Sequence, residues 1–540
     1  MKLRLPETVS TYLAAWLLLN LVQSASTELI HDEAYYWYFS KNLAWGYFDH
    51  PPAIAAFIKP GYWLFQNELG VRMLVVLAGV ATIWLMHKIT GGKDVRLLFS
   101  MVLGAAILHV GGFIAVPDVP LVLFTALFFY FFKSYLEKTS WRTAIWLTLC
   151  VTGMAYSKYQ SALVVIFAML PNLHLLRRPS FWLIPILTAA LLLPHLFWQW
   201  EHDFQTFRYQ FLDRSNVPYK FEFFTNYLLG QLLIFGPLLG LLLFPAAVKF
   251  KARDRFERTL KWCFYGFFGF FLLQSLKSRV EPNWTVMGAV PLFYLAYHFI
   301  ENRENWRRWA FRLSAWGLAL ILVFRLYAAW DFLPQGWVKR NEFHGWEQWA
   351  KDIERAAGDL PVVFQNTFQK PSKYMFYTGK FAHTADVVDY AGKQYDLDIA
   401  AEESLQGKTV FRIHGGGKDS LLAGGMLTRY DIVPAFHYFN RIKIQFPENR
   451  LQVPSDTMLQ LPIQLENPTA HDVDFSRFND PDLSVQYCLF WYGKVKYCQP
   501  AMDSFPVKML KAGERVNCTA TIRTPPDDGK HWQFRLAIYA

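Results

Sequence analysis

Long apolar runs recur through the first 330 residues of the chain and stop after that point. Because a membrane-spanning helix needs about 20 mostly apolar residues, this pattern predicts eleven spans. They lie at residues 9–29, 70–90, 97–116, 120–136, 142–157, 160–176, 181–200, 227–248, 261–276, 284–300 and 309–330. The first run lacks a small-residue cleavage site, so we interpret it as a span and not as a signal peptide. The pattern indicates a polytopic α-helical membrane protein.

The part of the chain after residue 330 has a different pattern. Trp346, Trp349, Ile353 and Ala356 have the spacing of an amphipathic helix. Alternating short apolar runs bounded by Pro, Asn and Asp then predict strands. These are Pro361–Phe364, Arg441–Phe446, Leu459–Leu465, Val485–Tyr492, Val516–Ile522 and Trp532–Tyr539. We therefore predict three regions, which are a transmembrane catalytic domain (1–330), a mixed α/β region (331–430) and a β-sandwich-like domain (431–540).

The net charge of +11 at first suggests a nucleic-acid partner, but its distribution does not. The Lys and Arg residues form short clusters between apolar runs, and every strongly basic loop falls on the same side of the predicted membrane topology. The positive-inside rule assigns that side to the cytoplasm. The N-terminus is then cytoplasmic, and an odd number of spans places the C-terminal region outside. We expect a bacterial inner membrane protein surrounded by lipid, with no nucleic-acid partner.

The predicted outer loops contain most of the unusual ionisable residues. They are His31, Asp32, Glu33, Asp49, His50, Asp118, Lys158, Arg208, Asp213, Arg214, Lys277, Arg279 and Glu281. Ionisable groups at membrane depth are costly, so a set that converges at one face indicates a functional site. The alternative is that each is an ordinary interfacial residue in contact with water.

The first outer loop is rich in aromatic residues. It reads His31-Asp32-Glu33-Ala34-Tyr35-Tyr36-Trp37-Tyr38-Phe39, and later Gly46-Tyr47-Phe48-Asp49-His50-Pro51-Pro52. The stretch between the two acids suits a helix that lies in the interface plane and holds Asp32 and Asp49 near the headgroups. The alternative is a surface anchor in which Asp32 is a helix N-cap.

Asp32-Glu33 followed by Phe48-Asp49-His50-Pro51-Pro52 resembles the first outer loop of the GT-C glycosyltransferases. The resemblance is strongest to bacterial relatives of the protein O-mannosyltransferases and of the aminoarabinose lipid A transferases. Stretches that resemble later parts of that family follow in order. They are Pro117-Asp118-Val119-Pro120, Ser157-Lys158-Tyr159, Arg279-Val280-Glu281-Pro282-Asn283-Trp284, Phe376-Tyr377-Thr378-Gly379 and Gln394-Tyr395-Asp396. The resemblance covers about residues 1–400.

The resemblance implies an inverting transfer of a sugar from a polyprenyl-phosphate donor, such as undecaprenyl phosphate, to a lipid, glycan or protein acceptor. The chemistry itself requires a general base for the attacking hydroxyl. Asp32 matches the catalytic position of the family, and Asp49 and Glu33 are the other candidates. The phosphate leaving group requires cations, for which Arg is well suited. The candidate substrate-binding residues are Tyr35, His50, Asp118, Lys158, Arg208, Arg214, Lys277, Arg279 and Glu281.

Asp49-His50 departs from the aminoarabinose transferases, which have an acidic-basic pair before Pro-Pro. His50 can take the phosphate-facing role, although neutral imidazole is a weaker partner than Lys. Some relatives hold a divalent metal near this acid. Asp49 and His50 are possible ligands, but the sequence has no compact ligand spacing, so we assign no cofactor and keep a divalent metal as the alternative.

Cys488 and Cys498 flank Gly493 in a predicted hairpin. Outside the cytoplasm they can form a disulfide if the strand register aligns them. The C-terminal region as a whole has two interpretations, namely acceptor binding over the site and a structural cap.

Two other functions fit a polytopic chain. A transporter is expected to contain internal repeats and interrupted helices with midplane charges, whereas here the charges gather at one face and no repeat is evident. A non-catalytic subunit of a glycan assembly system would not require Asp32 together with the basic residues. The sequence does not specify the sugar or the acceptor.

Overall fold

The computed structural model describes residues 8–210, 219–334, 337–338, 341–385, 392–439, 441–446, 453–475, 484–491, 494–502, 505, 507–526 and 532–539. The chain divides into two compact units, Met1–Trp346 and Glu347–Ala540. Each unit is described by itself.

The first unit is built from α-helices. They are α1 (Val9–Ser26), α2 (His31–Lys41), α3 (Ala53–Leu64), α4 (Glu68–Thr90), α5 (Val95–Leu103), α6 (Ala106–Phe113), α7 (Asp118–Glu137), α8 (Trp141–Ser157), α9 (Ala162–Met169), α10 (Pro179–Glu201), α11 (Gln205–Arg208), α12 (Phe221–Ile234), α13 (Gly240–Lys249), α14 (Arg255–Ser275), α15 (Ala289–Ile300) and α16 (Glu304–Ala329). Short 3₁₀ segments cover Tyr159–Ser161, Leu170–Arg177 and Pro282–Gly288.

Several of these helices have the length and composition of membrane spans. Within the described part of the chain, five qualify singly, which are α4, α7, Tyr159–Arg177, α10 and α16. The pairs α1–α2 and α5–α6 qualify when each bent pair is taken together, which gives up to seven. A multi-pass membrane protein is thereby confirmed, and the number eleven remains a prediction.

Two predicted spans are interrupted. The run at 97–116 breaks into α5 and α6 with a bend of 76°. At the break, a Cβ added to Gly104 would lie 2.8 Å from the Cα of Ser314, so the chain turns where α16 packs against it without a side chain between them. The run at 227–248 breaks into α12 and α13 around Pro237, which has no N–H for a helical hydrogen bond. Hydropathy does not detect either break because the residues stay apolar.

Burial separates the inner helices of the first unit from the outer ones. More than half of the most apolar windows of α4 and α7 is buried inside the unit, but only 17% of the window of α10. Exposed apolar side chains on α10 include Ile186, Leu193 and Phe197. Because so large an apolar surface is unfavourable in water, we assign this face to lipid.

The first outer loop contains the predicted aromatic helix, which is α2. The proposed N-cap is wrong, because Ile30 occupies the cap position and Asp32 lies inside the first turn. The backbone N–H of Ile30 donates to the Glu33 carboxylate at 3.1 Å, so Glu33 provides the capping oxygen. The prediction also missed α3, which follows Pro52 in the same loop.

The second unit begins with an α/β region. Its helices are α17 (Trp346–Ala357), α18 (Gln369–Thr378) and α19 (Ile399–Leu405), and its strands are β1 (Val362–Gln365), β2 (Ala382–Ala385), β3 (Val410–Ile413), β4 (Asp419–Ala423) and β5 (Met426–Val433). The sheet order is β2-β1-β3-β5-β4. β1 pairs in parallel with β2 and β3, whereas β5 is antiparallel to β3 and β4. The predicted helix at Trp346 and the strand at Val362 are confirmed.

The remaining strands form the sheets of a β-sandwich. They are β6 (Lys443–Gln445), β7 (Met458–Glu466), β8 (Val473–Asp474), β9 (Ser484–Trp491), β10 (Lys494–Pro500), β11 (Met509–Leu510), β12 (Arg515–Arg523) and β13 (Gln533–Tyr539). One sheet has the order β10-β9-β13 and another β12-β7-β6. Leu461 and Ile463 of one sheet share a buried core with Tyr487 and Leu489 of the other, which confirms the predicted sandwich.

A disulfide joins Cys488 of β9 to Cys498 of β10, at directly paired positions in the strand register. The bond closes a short loop, and such a loop restricts the unfolded chain. We expect the double substitution Cys488→Ser/Cys498→Ser to lower the free energy of unfolding of the second unit by about 2–3 kcal/mol. Thermal melts of the variant and of the wild type measure this loss, and equal melting temperatures would contradict it.

Candidate active site

The first turn of α2 presents two neighbouring carboxylates to opposite environments. Asp32 is exposed, whereas the Glu33 side chain is fully buried. Successive residues of a helix point about 100° apart, so one turn can carry an outward acid and an inward acid. Asp32 therefore remains the candidate general base. Glu33, the third candidate, is a positioning residue because its carboxylate faces the core.

Glu33 forms a bidentate ion pair with Arg72 of α4. The Arg72 Nε and Nη2 atoms donate to the two carboxylate oxygens at 2.8 and 2.6 Å. The backbone N–H of Ala115 also donates to Glu33, at 2.7 Å. Both side chains of the pair are completely buried. The pair thus links α2 to α4 and to the segment that follows α6.

Arg72 also fixes the bend between α1 and α2. Its guanidinium donates to the backbone carbonyls of Ser24, Thr27 and Glu28, at 3.1, 2.6 and 3.0 Å. Carbonyls at a helix C-terminus have no partner within the helix, so a buried cation satisfies them where water cannot. The two helices meet at 88°. The orientation of Asp32 therefore depends on a residue 40 positions later in the chain.

Residues at the end of the first unit hold the same turn from the other side. A Glu342 carboxylate oxygen accepts from the backbone N–H of His31 at 3.3 Å, and a Glu28 carboxylate oxygen accepts from that of Trp346 at 2.7 Å. The N–H group of His31 belongs to the first residue of α2, so Glu342 provides a carboxylate to the start of that helix, and Glu28 holds the backbone at Trp346. The His31 ring also packs edge-on against Trp346, with ring centroids 4.6 Å apart.

We expect Glu342→Ala to lower stability by about 1 kcal/mol, the usual cost of a lost N-terminal cap. It should also lower kcat by roughly several fold, because His31 adjoins Asp32 and a small displacement of a catalytic group slows the reaction. Glu342→Gln keeps a carbonyl acceptor and should retain most of both. If kcat is unchanged in Glu342→Ala, this contact does not position the base.

The Asp49-His50 tip of the first loop folds against α2 and α11. The Tyr36 hydroxyl lies 3.2 Å from His50 Nε2, and the Gln210 side chain donates to the Asp49 carbonyl at 2.6 Å. Before the tip, a Cβ on Gly46 would lie 2.3 Å from the Trp198 ring, so only glycine allows this close approach. Asp49, the second candidate for the general base, is partly exposed.

Polar residues near the end of α10 hold the backbone of this loop. His195 Nδ1 lies 2.6 Å from the Trp45 carbonyl, and the Thr206 hydroxyl donates to the Tyr47 carbonyl at 2.7 Å. Gln199 in turn donates to Thr206 at 2.6 Å. The sequence prediction missed these residues. Their signal in the sequence is that His195 and Gln199, four residues apart, place two polar side chains on one face of an otherwise apolar span.

The second outer loop meets the loop after α8 in a buried ion pair. Lys158 Nζ lies 2.9 and 2.8 Å from the two carboxylate oxygens of Asp118. Asn283, from the late outer loop, donates to the same carboxylate at 3.0 Å. Three of the predicted loops therefore converge here, as expected if they form one site. Asn283 belongs to the motif Arg279–Trp284, but the sequence did not predict it as a site residue.

An apolar cavity of about 210 Å³ borders this cluster. Its polar lining includes Asp118 and Asn283, and Ile83, Leu108 and Val122 contribute apolar surface. Ile30, two residues before Asp32, lines it as well. The cavity thus extends from the start of α2 to the Asp118–Lys158 pair.

Other predicted site residues do not join this cluster. Tyr35 is buried against Phe39, with ring centroids 4.5 Å apart, and its role as a substrate contact stays a prediction. Arg208 and Lys277 are exposed, and Arg279 pairs with Glu281 at 2.9 Å within its own loop.

Arg214 and Asp213 lie outside the described residues. Among the residues that are described, no group of three His, Cys, Asp or Glu side chains is arranged to hold a metal ion. Asp49 and His50 are therefore the only metal candidates carried over from the sequence, and nothing in this geometry adds a third ligand to them.

Known proteins resemble this chain in sequence and in fold. The family model described as dolichyl-phosphate-mannose-protein mannosyltransferase matches residues 49–198, a range that includes His50, Asp118 and Lys158. The lipid A galacturonosyltransferase RgtD of Rhizobium johnstonii is 24% identical over 421 residues, which are 72% of this chain and 87% of that protein.

ArnT from Cupriavidus metallidurans superposes in its apo state with a TM-score of 0.60 at 14% identity, over 76% of this chain and 93% of ArnT. Its structure bound to undecaprenyl phosphate gives 0.58 at 13% identity, over 78% and 97%. The chain has the GT-C glycosyltransferase fold. The resemblance inferred from the ordered loop motifs is confirmed, and the family match over residues 49–198 supports a transferase.

In this GT-C protein we expect Lys158→Met to cost about 3 kcal/mol of stability, because it leaves the buried Asp118 carboxylate without its ammonium. Transfer should fall by roughly 100-fold if Lys158 also stabilises negative charge in the reaction. The double variant Asp118→Asn/Lys158→Met should recover most of the stability but not the activity. Recovery of both would show that the pair is structural only.

Proposed function

We propose that this protein transfers a sugar from a polyprenyl-phosphate donor, with undecaprenyl phosphate as the carrier, to an acceptor hydroxyl at the extracytoplasmic face of the membrane. Asp32 is the general base. Loops 30–69, 117–119, 157–160, 201–226 and 277–283 lie on that face, and the N-terminus lies in the cytoplasm. We propose that residues 1–330 form the catalytic domain, as predicted from the sequence.

The reaction is a single displacement at the anomeric carbon. The acceptor oxygen forms a bond to that carbon as its proton passes to the Asp32 carboxylate. The bond from the anomeric carbon to the phosphate oxygen breaks on the opposite side, and its electron pair stays with the polyprenyl phosphate. The anomeric configuration is therefore inverted. The leaving phosphate needs matched positive charge but no general acid.

One observation carries this proposal. Asp32 is an exposed carboxylate in a turn whose backbone is fixed by buried or capping contacts from Glu33, Arg72 and Glu342. A base is effective when it is held in position before the substrate arrives, since orientation contributes several kcal/mol to catalysis. An ordinary interfacial acid does not require a fully buried ion pair behind it.

The donor site is proposed from the surroundings of Asp118. The apolar cavity that borders Asp118 and Asn283 suits the first isoprene units of a lipid tail. Lys158 and His50 are the first candidates for contact with the phosphate, and the exposed residues Arg208, Lys277 and Arg279 are further candidates. The similarity to an undecaprenyl-phosphate-bound structure supports the same class of carrier.

The acceptor is proposed as a cell-envelope glycolipid, with lipid A first, because a relative that matches 72% of the chain is a lipid A galacturonosyltransferase. A polysaccharide or a protein remains an alternative. The transporter and assembly-subunit interpretations have less support, since Asp118, Lys158 and Asn283 from three separate loops meet in one cluster.

The test is a panel of undecaprenyl-phosphate sugars incubated with the purified protein, with and without a membrane lipid extract. We expect at least one donor to release free undecaprenyl phosphate, and the release to depend on the extract. Folded protein that releases none with any donor would contradict the proposal. Fractionation of the extract then identifies the acceptor class.

A further inference from the structure

The second unit contains a cleft of about 150 Å³ that is lined by many polar residues and has no part in the proposed reaction. One wall comes from α19 and the residues just after it, and includes Glu402 and Gln406. The opposite wall is the turn between β7 and β8, and includes Thr469 and His471. The cleft therefore lies between the α/β region and the β-sandwich.

The floor of the cleft is built from groups that already have fixed orientations. Glu402 is almost completely buried and accepts from Arg441 Nε at 2.6 Å. The Gln406 side-chain oxygen accepts from the Tyr438 backbone N–H at 3.2 Å and lies 3.1 Å from His437 Nδ1. Buried polar side chains of this kind are costly unless they are paired, so their arrangement along a cleft is specific.

The rim adds exposed donors and acceptors. Glu403, His471 and Asp472 are exposed, and Thr469 is partly exposed. Asp472 is held in place because it accepts from the backbone N–H of Ala512 at 2.8 Å. The lining as a whole therefore offers carboxylate, amide, imidazole, hydroxyl and guanidinium groups within one small volume.

The charge of the lining restricts the ligand. Glu402, Glu403 and Asp472 are three carboxylates, and Arg441 is the only Lys or Arg among the lining residues. Counted over Asp, Glu, Lys and Arg alone, the described lining has a net charge of about −2. A phosphate or a uronic acid would meet like charge there, whereas a neutral or amino-bearing ligand would not.

The geometry points to a saccharide site: we propose that this cleft binds one sugar ring of a neutral or amino-bearing glycan. A ligand with many hydroxyls can pair with the mixed donors and acceptors, which a lipid tail cannot do. The volume equals about five waters at about 30 Å³ each, on the scale of a single sugar ring. Tyr438 and Ile442 add apolar surface, which the carbon face of a sugar ring can cover.

As an acceptor subsite this inference rests on the transferase function proposed above, but saccharide binding itself does not. Binding is measured directly on the full chain in nanodiscs by saturation-transfer NMR and calorimetry. The probes are chitobiose as the neutral sugar, a glucosamine disaccharide as the amino sugar, and digalacturonic acid as the anionic sugar.

The variant is Glu403→Ala/His471→Ala, which removes two exposed rim groups and leaves the Glu402–Arg441 pair in place. The matched control is Lys408→Ala, another exposed residue of this region that does not line the cleft. Thermal melts establish that both variants are folded as the wild type is.

We expect the neutral or the amino disaccharide to bind, the anionic one to bind at least tenfold more weakly, and the double variant to weaken binding by about tenfold. The control should bind as the wild type does. No binding of any probe, equal binding of the anionic probe, or unchanged binding in the double variant would overturn the proposal. Failure of the transferase function would appear separately, as saccharide binding without release of undecaprenyl phosphate from any donor.

Discussion

Replacement of Asp32 by Asn is expected to abolish sugar transfer, with a loss in kcat of at least about 1,000-fold. The amide has nearly the shape of the carboxylate but cannot accept the proton of the acceptor hydroxyl. Asp32 is exposed at the first turn of α2, and the Asn side chain has nearly the same size, so the substitution leaves the buried Glu33–Arg72 pair in place. The KM for the lipid-linked donor should therefore change little. Initial rates of sugar transfer at varied donor concentration separate the two parameters.

Two further variants assign the base. Asp32→Glu keeps a carboxylate one methylene farther out and should retain a measurable rate, with the acidic limb of its pH–rate profile preserved. Asp49→Asn should reduce the rate much less than Asp32→Asn. A larger loss at Asp49 than at Asp32 would move the base to Asp49 and leave the class of reaction unchanged.

Arg72→Met should produce the largest loss of stability, about 3–5 kcal/mol. It removes the cation from a fully buried carboxylate and also removes the donors to three backbone carbonyls at the bend between α1 and α2. We expect low yield and early unfolding in detergent. Thermal unfolding followed by intrinsic fluorescence, at matched protein-to-detergent ratio, measures the loss.

The double variant Glu33→Met/Arg72→Met distinguishes the buried charge from the lost carbonyl contacts. An apolar pair of similar volume leaves no isolated charge, so part of the stability should return. Transfer should stay impaired even in folded protein, because the turn that carries Asp32 loses its fixed carbonyls. Full activity in the double variant would show that Glu33 and Arg72 do not position Asp32.

The sequence predicted those features of the fold that depend on local composition. The apolar runs at 70–90 and 120–136 became α4 and α7 nearly residue for residue, because length and hydropathy alone define such helices. The strands that contain Leu459 and Val516 were predicted because apolar and polar residues alternate along them. The bend at Gly104 was not predictable in this way, since it depends on the approach of Ser314 from a helix some 200 residues later.

The site was predictable as a set of loops but not as a set of contacts. Asp118 and Lys158 were selected as rare ionisable residues at membrane depth, and the structure pairs them. Nothing in the local sequence distinguishes the exposed Asp32 from the buried Glu33, because the difference arises from Arg72. Glu342 was missed for the same reason, as its partner His31 lies 311 residues earlier.

The most direct test of the central claim follows a donor with its sugar and its lipid separately labelled, in sealed proteoliposomes that also contain the acceptor extract. The account predicts that sugar label appears covalently on the acceptor, with one free polyprenyl phosphate for each sugar transferred. Asp32→Asn should give neither product. Sugar label that crosses the bilayer while still bonded to its lipid, with no free polyprenyl phosphate formed, would contradict the account and favour a transporter.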